Sequence, residues 1–175
     1  MVKHVSEPRR ELEPKWVSEY MLATFPKAEV RLRVPLGGIP KDTQQTYGLM
    51  KGLRVYRPWR PEVDAAARWM DKTILVEAKI FKYMDGLSKL PIYKSLIPST
   101  PELAHWPTDI EMQLLIPAPI TWVQQAALNQ KVKVVSSFVP DYIKRAWDER
   151  DKYWTKDAVQ AREDRKQKLK EAGLS

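Results

Sequence analysis

Two side chains of opposite charge stand two residues apart in an otherwise apolar stretch of this sequence. The stretch reads TILVEAKI over residues 73–80, and the charged residues are Glu77 and Lys79. Because side chains alternate across a β-strand, both would lie on the same face if the stretch is a strand. Burying them costs free energy, so they indicate a functional site, with a purely structural ion pair as the alternative.

A second carboxylate precedes this pair. Asp64 lies in the extended-looking stretch EVDAAARW over residues 62–69. If the two stretches form a hairpin that turns near Asp71 and Lys72, Asp64 comes close to Glu77. Two carboxylates can hold a divalent metal, and a nearby lysine can orient or activate water, which is how proteins hydrolyse phosphodiesters. Magnesium prefers oxygen ligands and keeps several waters, so a small ligand set suffices.

Hydrophobic periodicity predicts the elements that must position these residues. Residues 37–50 are interpreted as a connecting loop with room for a short helix, and Leu53 to Tyr56 as the beginning of a second strand. That strand is interrupted by Pro58 and Pro61 and continues in extended form over 62–69. The other predicted strands cover 29–35, 73–80, 110–116 and 132–139; the predicted helices cover 14–25, 81–97 with a turn or kink at Pro91, 120–129 and 141–172. The order predicts an α/β fold with a central sheet of about five strands.

The chain of 175 residues suits one folded domain with flanking segments. The predicted parts are a polar N-terminal arm over 1–13, the domain over 14–140 and a charged helix over 141–175. An apolar stripe on that helix fades after residue 161, so its last turns either project into solvent or meet a protein partner. The stripe consists of Ile143, Ala146, Trp147, Trp154, Ala158 and Ala161.

The stretch PEVDAAARWMDKTILVEAK, residues 61–79, resembles the PD-(D/E)XK nuclease superfamily. The spaced Asp of the family motif matches Asp64, its acidic position matches Glu77, and its Lys matches Lys79. The family's proline usually precedes the Asp directly, whereas Pro61 stands three residues earlier. The resemblance covers residues 14–139 through the order of elements as well.

This resemblance implies a restriction-endonuclease-like core, with a mixed sheet and the order αβββαβαβ, and a nuclease that hydrolyses DNA with Mg²⁺ or Mn²⁺. Asp64, Glu77 and the Ala78 carbonyl would hold the metal, and Lys79 would position or activate the attacking water. An acidic residue on the first helix often lies near the metal in the family, and Glu19 is its expected counterpart.

The helix after the Glu-x-Lys stretch extends the resemblance. Gly86-x-x-Lys89-x-x-x-Tyr93 is similar to the Gln-x-x-x-Tyr motif of the exonuclease-like and RecB-like branches. In those branches the Gln and the Tyr face the active site. Lys89 replaces the Gln here, which keeps a hydrogen-bond donor and adds a charge.

Charge and composition favour a nucleic-acid partner. The formal net charge is +8 and the pI is about 9.6, which suits a polyanion. Arg54, Arg57, Arg60 and Trp59 precede Asp64 and would suit a nucleic-acid backbone that approaches the metal. Protective charges on a solvated edge strand explain this cluster equally well.

Composition also excludes several classes of protein. There is no cysteine, which removes disulfides and thiolate metal sites. No stretch approaches the roughly 18 apolar residues of a membrane helix, and the N-terminus lacks the apolar region of a secretory signal. The sequence therefore predicts an intracellular protein, or a virion component if it is phage-encoded. The rival hypothesis is a non-catalytic nucleic-acid-binding or assembly protein that retains the nuclease fold.

Overall fold

A mixed five-stranded sheet forms the centre of this computed structural model, which describes residues 12–152 and 156–173. The strands lie side by side in chain order: β1 (Glu29–Pro35), β2 (Glu62–Trp69), β3 (Lys72–Ala78), β4 (Asp109–Leu115) and β5 (Val132–Val135). The first three strands run antiparallel, whereas β3, β4 and β5 run parallel. The predicted α/β fold with a mixed sheet flanked by helices is therefore confirmed.

Helices cover both faces of this sheet. The helices in the described residues are α1 (Leu12–Thr24), α2 (Lys41–Tyr47), α3 (Leu49–Tyr56), α4 (Tyr83–Leu96), α5 (Thr121–Asn129), α6 (Asp141–Lys152) and α7 (Lys156–Glu171). Helices α1 and α6 pack together on one face, and α4 and α5 pack together on the other. The helices α2 and α3 contact mainly each other and connect β1 to β2.

Strand β3 is central because both of its faces are buried. Ile74 and Val76 belong to the apolar cluster under α1, whereas Leu75 belongs to the cluster under α4. Parallel strands covered on both sides read as continuous apolar runs, which explains the composition of this stretch. Glu77 is an exception in this setting, since it is a buried charge on a core strand.

Most predicted elements are confirmed within a few residues, but the segment before β2 was predicted wrongly. Leu53 to Tyr56 belongs to helix α3 and does not begin a strand. The reason is that Gly52 and Leu53 turn inward while Arg54 and its neighbour are exposed, a helical pattern. Gly48 has a φ of 71°, a conformation that glycine adopts easily, and it separates α2 from α3.

The bounds of three other elements differ from the predictions. Helix α1 begins at Leu12, so Leu12 and Glu13 belong to the helix and not to the predicted arm, whose residues 1–11 lie outside the described part. Leu12 is buried one turn before Trp16, which anchors the first turn. Helix α4 continues through Pro91, so no separate turn begins at this residue. Strand β5 ends at Val135, four residues before its predicted end at Val139.

The first part of the predicted C-terminal stripe packs against the sheet and α1. Ile143 is fully buried, and Ala146 and Trp147 pack partly against the cluster under α1. Trp154 lies outside the described residues, as does the side chain of Ala158, while Ala161 is exposed. Among the helices of the described residues, none combines the length and apolar character needed to cross a membrane.

Candidate active site

The hairpin of β2 and β3 brings Asp64 and Glu77 together. The strands pair antiparallel with Ala65 opposite Val76, so one further step along this register sets Asp64 opposite Glu77. The Asp64 N–H donates to Glu77 Oε2 at 3.4 Å, and the Ala78 N–H donates to Asp64 Oδ2 at 2.9 Å. Both carboxylates therefore occupy the gap where the two strands stop pairing, at the carboxyl end of β3.

Lys79 completes the cluster from the same face as Glu77. Its Nζ lies 2.9 Å from Glu77 Oε1 and 3.9 Å from Glu13 Oε2. Glu13 Oε1 in turn accepts the Ile80 N–H at 2.8 Å, which ties the start of α1 to the end of β3. The structure thus brings together Asp64, Glu77 and Lys79 as predicted, and it adds Glu13, which sequence reasoning had placed in the polar arm.

The acidic residue of α1 at this cluster is Glu13, and the prediction of Glu19 for that position is corrected. Glu19 Oε2 accepts a hydrogen bond from the Tyr142 hydroxyl at 3.0 Å, on the side where α1 meets α6. Six residues of α-helix turn the side-chain direction by about 120°, so Glu13 and Glu19 cannot face the same site. Leu12 stands four residues before Trp16, the spacing of neighbours on one helix face, and this sequence signal could have extended the predicted helix to Glu13. Both side chains are buried in the structure.

The electrostatics of the cluster are dominated by burial. Glu77 is only 2% exposed, and burial together with the neighbouring Asp64 carboxylate raises its pKa to about 7. Burial also raises the pKa of Asp64, although the Ala78 N–H and Lys79 oppose the change. For Lys79, burial lowers the pKa, but the charge and hydrogen bond of Glu77 together with the charges of Asp64 and Glu13 outweigh it, and the net change is upward. The cluster therefore carries more negative charge than its lysine neutralises, which favours a bound cation.

The atoms of the cluster that could bind a metal ion are carboxylate and carbonyl oxygens. Within residues 12–152 and 156–173, no group of three or more His, Cys, Asp or Glu side chains is arranged to hold a metal. Ala78 adds a further oxygen, because its N–H faces Asp64 and an extended residue turns its C=O to the same side. Two carboxylates and one carbonyl fit Mg²⁺ or Mn²⁺, which accept oxygen ligands and complete their shells with water.

Helix α4 lies directly against the cluster at Gly86. A Cβ at this position would stand 2.6 Å from Leu114 Cδ1 and 3.0 Å from Lys79 Cγ, so a glycine permits the close packing. Tyr93 is buried one layer deeper, where burial and the carboxylates of Glu77 and Asp64 raise its pKa and keep the hydroxyl protonated. Lys89 pairs with Asp85 at 2.8 Å, and its charge also acts to lower the pKa of Asp64, so its predicted role at the site stays a prediction.

The predicted nucleic-acid contacts divide into exposed and buried residues. Trp59 is 68% exposed and stacks on Tyr56, and Arg54 and Arg57 are also exposed. Arg60 is 6% exposed, and its two terminal nitrogens lie 2.6 Å and 2.8 Å from the carboxylate oxygens of Glu102. The prediction that Arg60 binds nucleic acid is therefore corrected, because its guanidinium is used inside the protein.

A cavity of about 540 Å³ opens beside Asp64. It lies between the start of α1 and the ends of β1 and β2 that meet at the cluster. Its lining residues are Glu13, Pro14, Leu32, Arg33, Glu62 and Asp64. A substrate that reaches Asp64 from this side would pass Arg33 and Glu62, neither of which was predicted from the sequence.

Comparisons with known proteins give this chain no family. No family model matches the sequence, and no curated protein matches it. Among solved structures, the chain is similar to a crystal structure of a protein of unknown function, with a TM-score of 0.41 and 9% identity. The similarity covers 76% of this chain and 65% of that protein, so this chain spans less than two thirds of its length.

Proposed function

We propose that this chain is a metal-dependent nuclease of the PD-(D/E)XK type that hydrolyses phosphodiester bonds in DNA. The observation that carries the proposal is the convergence of Asp64, Glu77 and Lys79 at one strand end. Glu77 is almost fully buried there with a pKa near 7. A strongly perturbed carboxylate beside a second carboxylate and a lysine is typical of catalytic sites.

Each residue of the cluster has a chemical role in this proposal. Asp64, Glu77 and the Ala78 carbonyl would hold Mg²⁺ or Mn²⁺, which supplies a charge for the phosphoryl oxygens and acidifies a bound water. The Lys79 ammonium, 12% exposed, would hold the attacking water and offset charge that develops on the phosphate. Glu13 would help to orient Lys79, whose Nζ lies 3.9 Å from Glu13 Oε2.

One contact favours the rival hypothesis of a binding or assembly protein that keeps the fold, such as a component of a viral particle. The ion pair of Glu77 and Lys79, at 2.9 Å, satisfies both charges without any metal. Helix α7 is also exposed over residues 163–173, which leaves it available to the protein partner expected of the C-terminal helix. In that case the cluster would be structural, and its variants would change stability alone.

A cleavage assay on single-stranded, duplex and branched DNA with Mg²⁺ or Mn²⁺ tests the nuclease directly. Glu77→Gln and Lys79→Met remove one member of the cluster each, and Glu19→Gln is the matched control on α1. We expect metal-dependent cutting that each cluster variant lowers by about 100- to 1000-fold or more, as for other groups that stabilise a transition state. The control should cut like the unchanged protein.

Two results would contradict the proposal. One is the absence of cutting by the unchanged protein with both metals on all three substrates. The other is cutting that survives in Glu77→Gln and Lys79→Met at the level of Glu19→Gln, because such activity would not come from this cluster.

A further inference from the structure

Two arginines share one carboxylate at the mouth of the cavity beside Asp64. Arg33 Nε lies 2.9 Å from Glu62 Oε1, and Arg57 Nη2 lies 3.0 Å from Glu62 Oε2. Arg57 Nη2 also donates to the Arg33 carbonyl at 3.0 Å, which joins the start of β2, the end of β1 and the turn after α3. We call Arg33, Arg57 and Glu62 the arginine clamp; its two cations and one anion leave a net positive charge.

The backbone at Arg33 departs from a regular strand. Arg33 has a φ of 52°, a left-handed conformation that costs a non-glycine residue about 1–2 kcal/mol. The pairing of β1 with β2 skips Arg33 and Asp64, although it is regular on both sides of them. Val63 and Ala65 pack in different core clusters, whereas residues two apart in a regular strand share a face. Both strands are therefore distorted where Arg33 and Asp64 reach the cavity.

An open aromatic surface lies next to the clamp. Trp59 stacks on Tyr56 with ring centroids 5.6 Å apart and an angle of 28°, and it is still 68% exposed. The same short turn, Arg57–Trp59, carries Arg57 of the clamp. A guanidinium for a phosphate and an aromatic face for a base thus stand two residues apart, the combination that proteins use on unpaired nucleic-acid strands.

The exposed arginines favour nucleic acid over protein as the ligand of this surface. Arg33 and Arg57 keep 72% and 53% of their side chains exposed, and Arg54 is exposed on the neighbouring helix. Arg33 lines the cavity that leads to the carboxylates, and Arg57 is held beside it through Glu62, so a polyanion would be attracted to this rim while a metal balances the interior. The bases of an intact duplex stack on one another, so an unpaired strand is the form that can use Trp59.

We propose that the substrate is a single-stranded segment of DNA, gripped through its phosphates by Arg33 and Arg57 and through one base by Trp59. Glu62 orients both arginines, so it acts as a positioning residue. The inference rests on the proposed nuclease function, because it names the substrate form that reaches Asp64. The strand would run from Trp59 past the arginine clamp into the cavity.

Fluorescence anisotropy with a labelled single-stranded oligonucleotide, in the presence of EDTA, measures this grip without cleavage. A duplex of the same length is the second probe. The variants are Trp59→Ala and Arg33→Gln, and the matched control is Arg68→Gln, an exposed arginine at the opposite end of β2. Arg33→Gln keeps a non-glycine residue in the left-handed conformation, and a thermal melt of each variant checks folding.

We expect tighter binding of the single strand than of the duplex. Trp59→Ala should weaken single-strand binding by about 5- to 150-fold, the value of one stacked base. Arg33→Gln should lower the slope of log affinity against log salt by about 0.7, the value of one phosphate contact on a single strand. Arg68→Gln should change neither quantity.

Other outcomes overturn the inference. Equal affinity for duplex and single strand, with no effect of Trp59→Ala, would contradict it. An equal decrease of the salt slope in Arg33→Gln and Arg68→Gln would contradict it as well. Absence of oligonucleotide binding at low salt would also do so, and the exposed aromatic surface would then face a protein. If the protein binds the single strand as expected but shows no metal-dependent cutting, the proposed binding surface is supported and the proposed nuclease function is contradicted. Cutting of duplex alone, unchanged in Trp59→Ala, contradicts only the single-strand inference.

Discussion

Two clusters in the interior of this molecule each contain both a cation and a carboxylate, and they differ in how the charges balance. In the first, Arg60 binds both oxygens of Glu102, and its Nη2 also donates to the Pro35 carbonyl at 3.0 Å. Burial opposes ionisation of Glu102, but the hydrogen bonds from Arg60, a backbone hydrogen bond and the charges of Arg60 and Arg31 together outweigh it and hold the pKa of Glu102 below its usual value. In the second, the pKa values of Glu77 and Asp64 are both raised.

The comparison separates an ion pair that holds the fold from one that is suited to chemistry. Arg60 and Glu102 have matched charges and satisfied donors, so they join the turn after α3 to the segment before β4. In the second cluster, burial and then the neighbouring carboxylates oppose ionisation of Glu13 and Glu77 more than Lys79 favours it, so ionising these carboxylates lowers stability. Proteins accept such a cost where function requires it. Variants of the two clusters should therefore change stability in opposite directions.

The largest expected effect is on the first cluster. Arg60→Met removes the cation and leaves the Glu102 carboxylate partly buried, so we expect a loss of about 3 kcal/mol in the free energy of unfolding. Urea unfolding at pH 7 measures it. Arg57→Met is the matched control, since Arg57 pairs with Glu62 at the surface and should cost less than about 1 kcal/mol. Equal losses in the two variants would show that Arg60 and Glu102 are no more than a surface pair.

The second effect has the opposite sign. Between pH 4.5 and about 7 the folded state binds more protons at Glu77 than the unfolded state does, so this residue lowers stability as pH rises through that window. Glu77→Gln should remove that dependence and raise the free energy of unfolding at pH 8 by about 2 kcal/mol. Glu163→Gln, an exposed carboxylate of α7, is the control. A loss of stability in Glu77→Gln at pH 8 would favour the structural ion pair.

The smallest effect concerns the packing of α4 against the second cluster. Gly86→Ala gains about 1 kcal/mol of helix propensity, but its Cβ would stand 2.6 Å from Leu114 Cδ1 and 3.0 Å from Lys79 Cγ. Overpacking of this kind costs about 1–3 kcal/mol, so we expect a net loss near 1 kcal/mol in urea unfolding. Ser88→Ala, exposed on the same helix, should not lose stability. A Gly86→Ala protein as stable as Ser88→Ala would show that α4 does not press on Lys79.

Sequence reasoning recovered the parts of the molecule that depend on periodicity. The apolar run of β3 and the alternation before it predicted the hairpin, and the hairpin placed Asp64 beside Glu77. The same argument put Glu77 and Lys79 on one face, and both now lie against Gly86. The local sequence pattern suffices here because the two strands of a hairpin follow each other in the chain and also lie side by side in the sheet.

Features that depend on distant contacts were not predicted. Arg60 and Glu102 are 42 residues apart, so the sequence around Arg60 gave no sign that its charge is neutralised. Glu13 was missed because the first two residues of α1, Leu12 and Glu13, were assigned to the arm. The left-handed backbone of Arg33 breaks the alternation on which the prediction of β1 relied, and this distortion shapes the cavity.

Binding of Mn²⁺, followed by electron paramagnetic resonance at pH 6 and pH 8, tests most directly whether the second cluster is a metal site. We expect one ion per chain at pH 8 and weaker binding at pH 6, because Glu77 must lose its proton to coordinate the metal. Asp64→Asn and Glu77→Gln should each weaken binding by at least about tenfold, while Glu19→Gln should not. Absence of Mn²⁺ binding, or equal Mn²⁺ affinity in Asp64→Asn, Glu77→Gln and Glu19→Gln, would show that the second cluster is not a metal site.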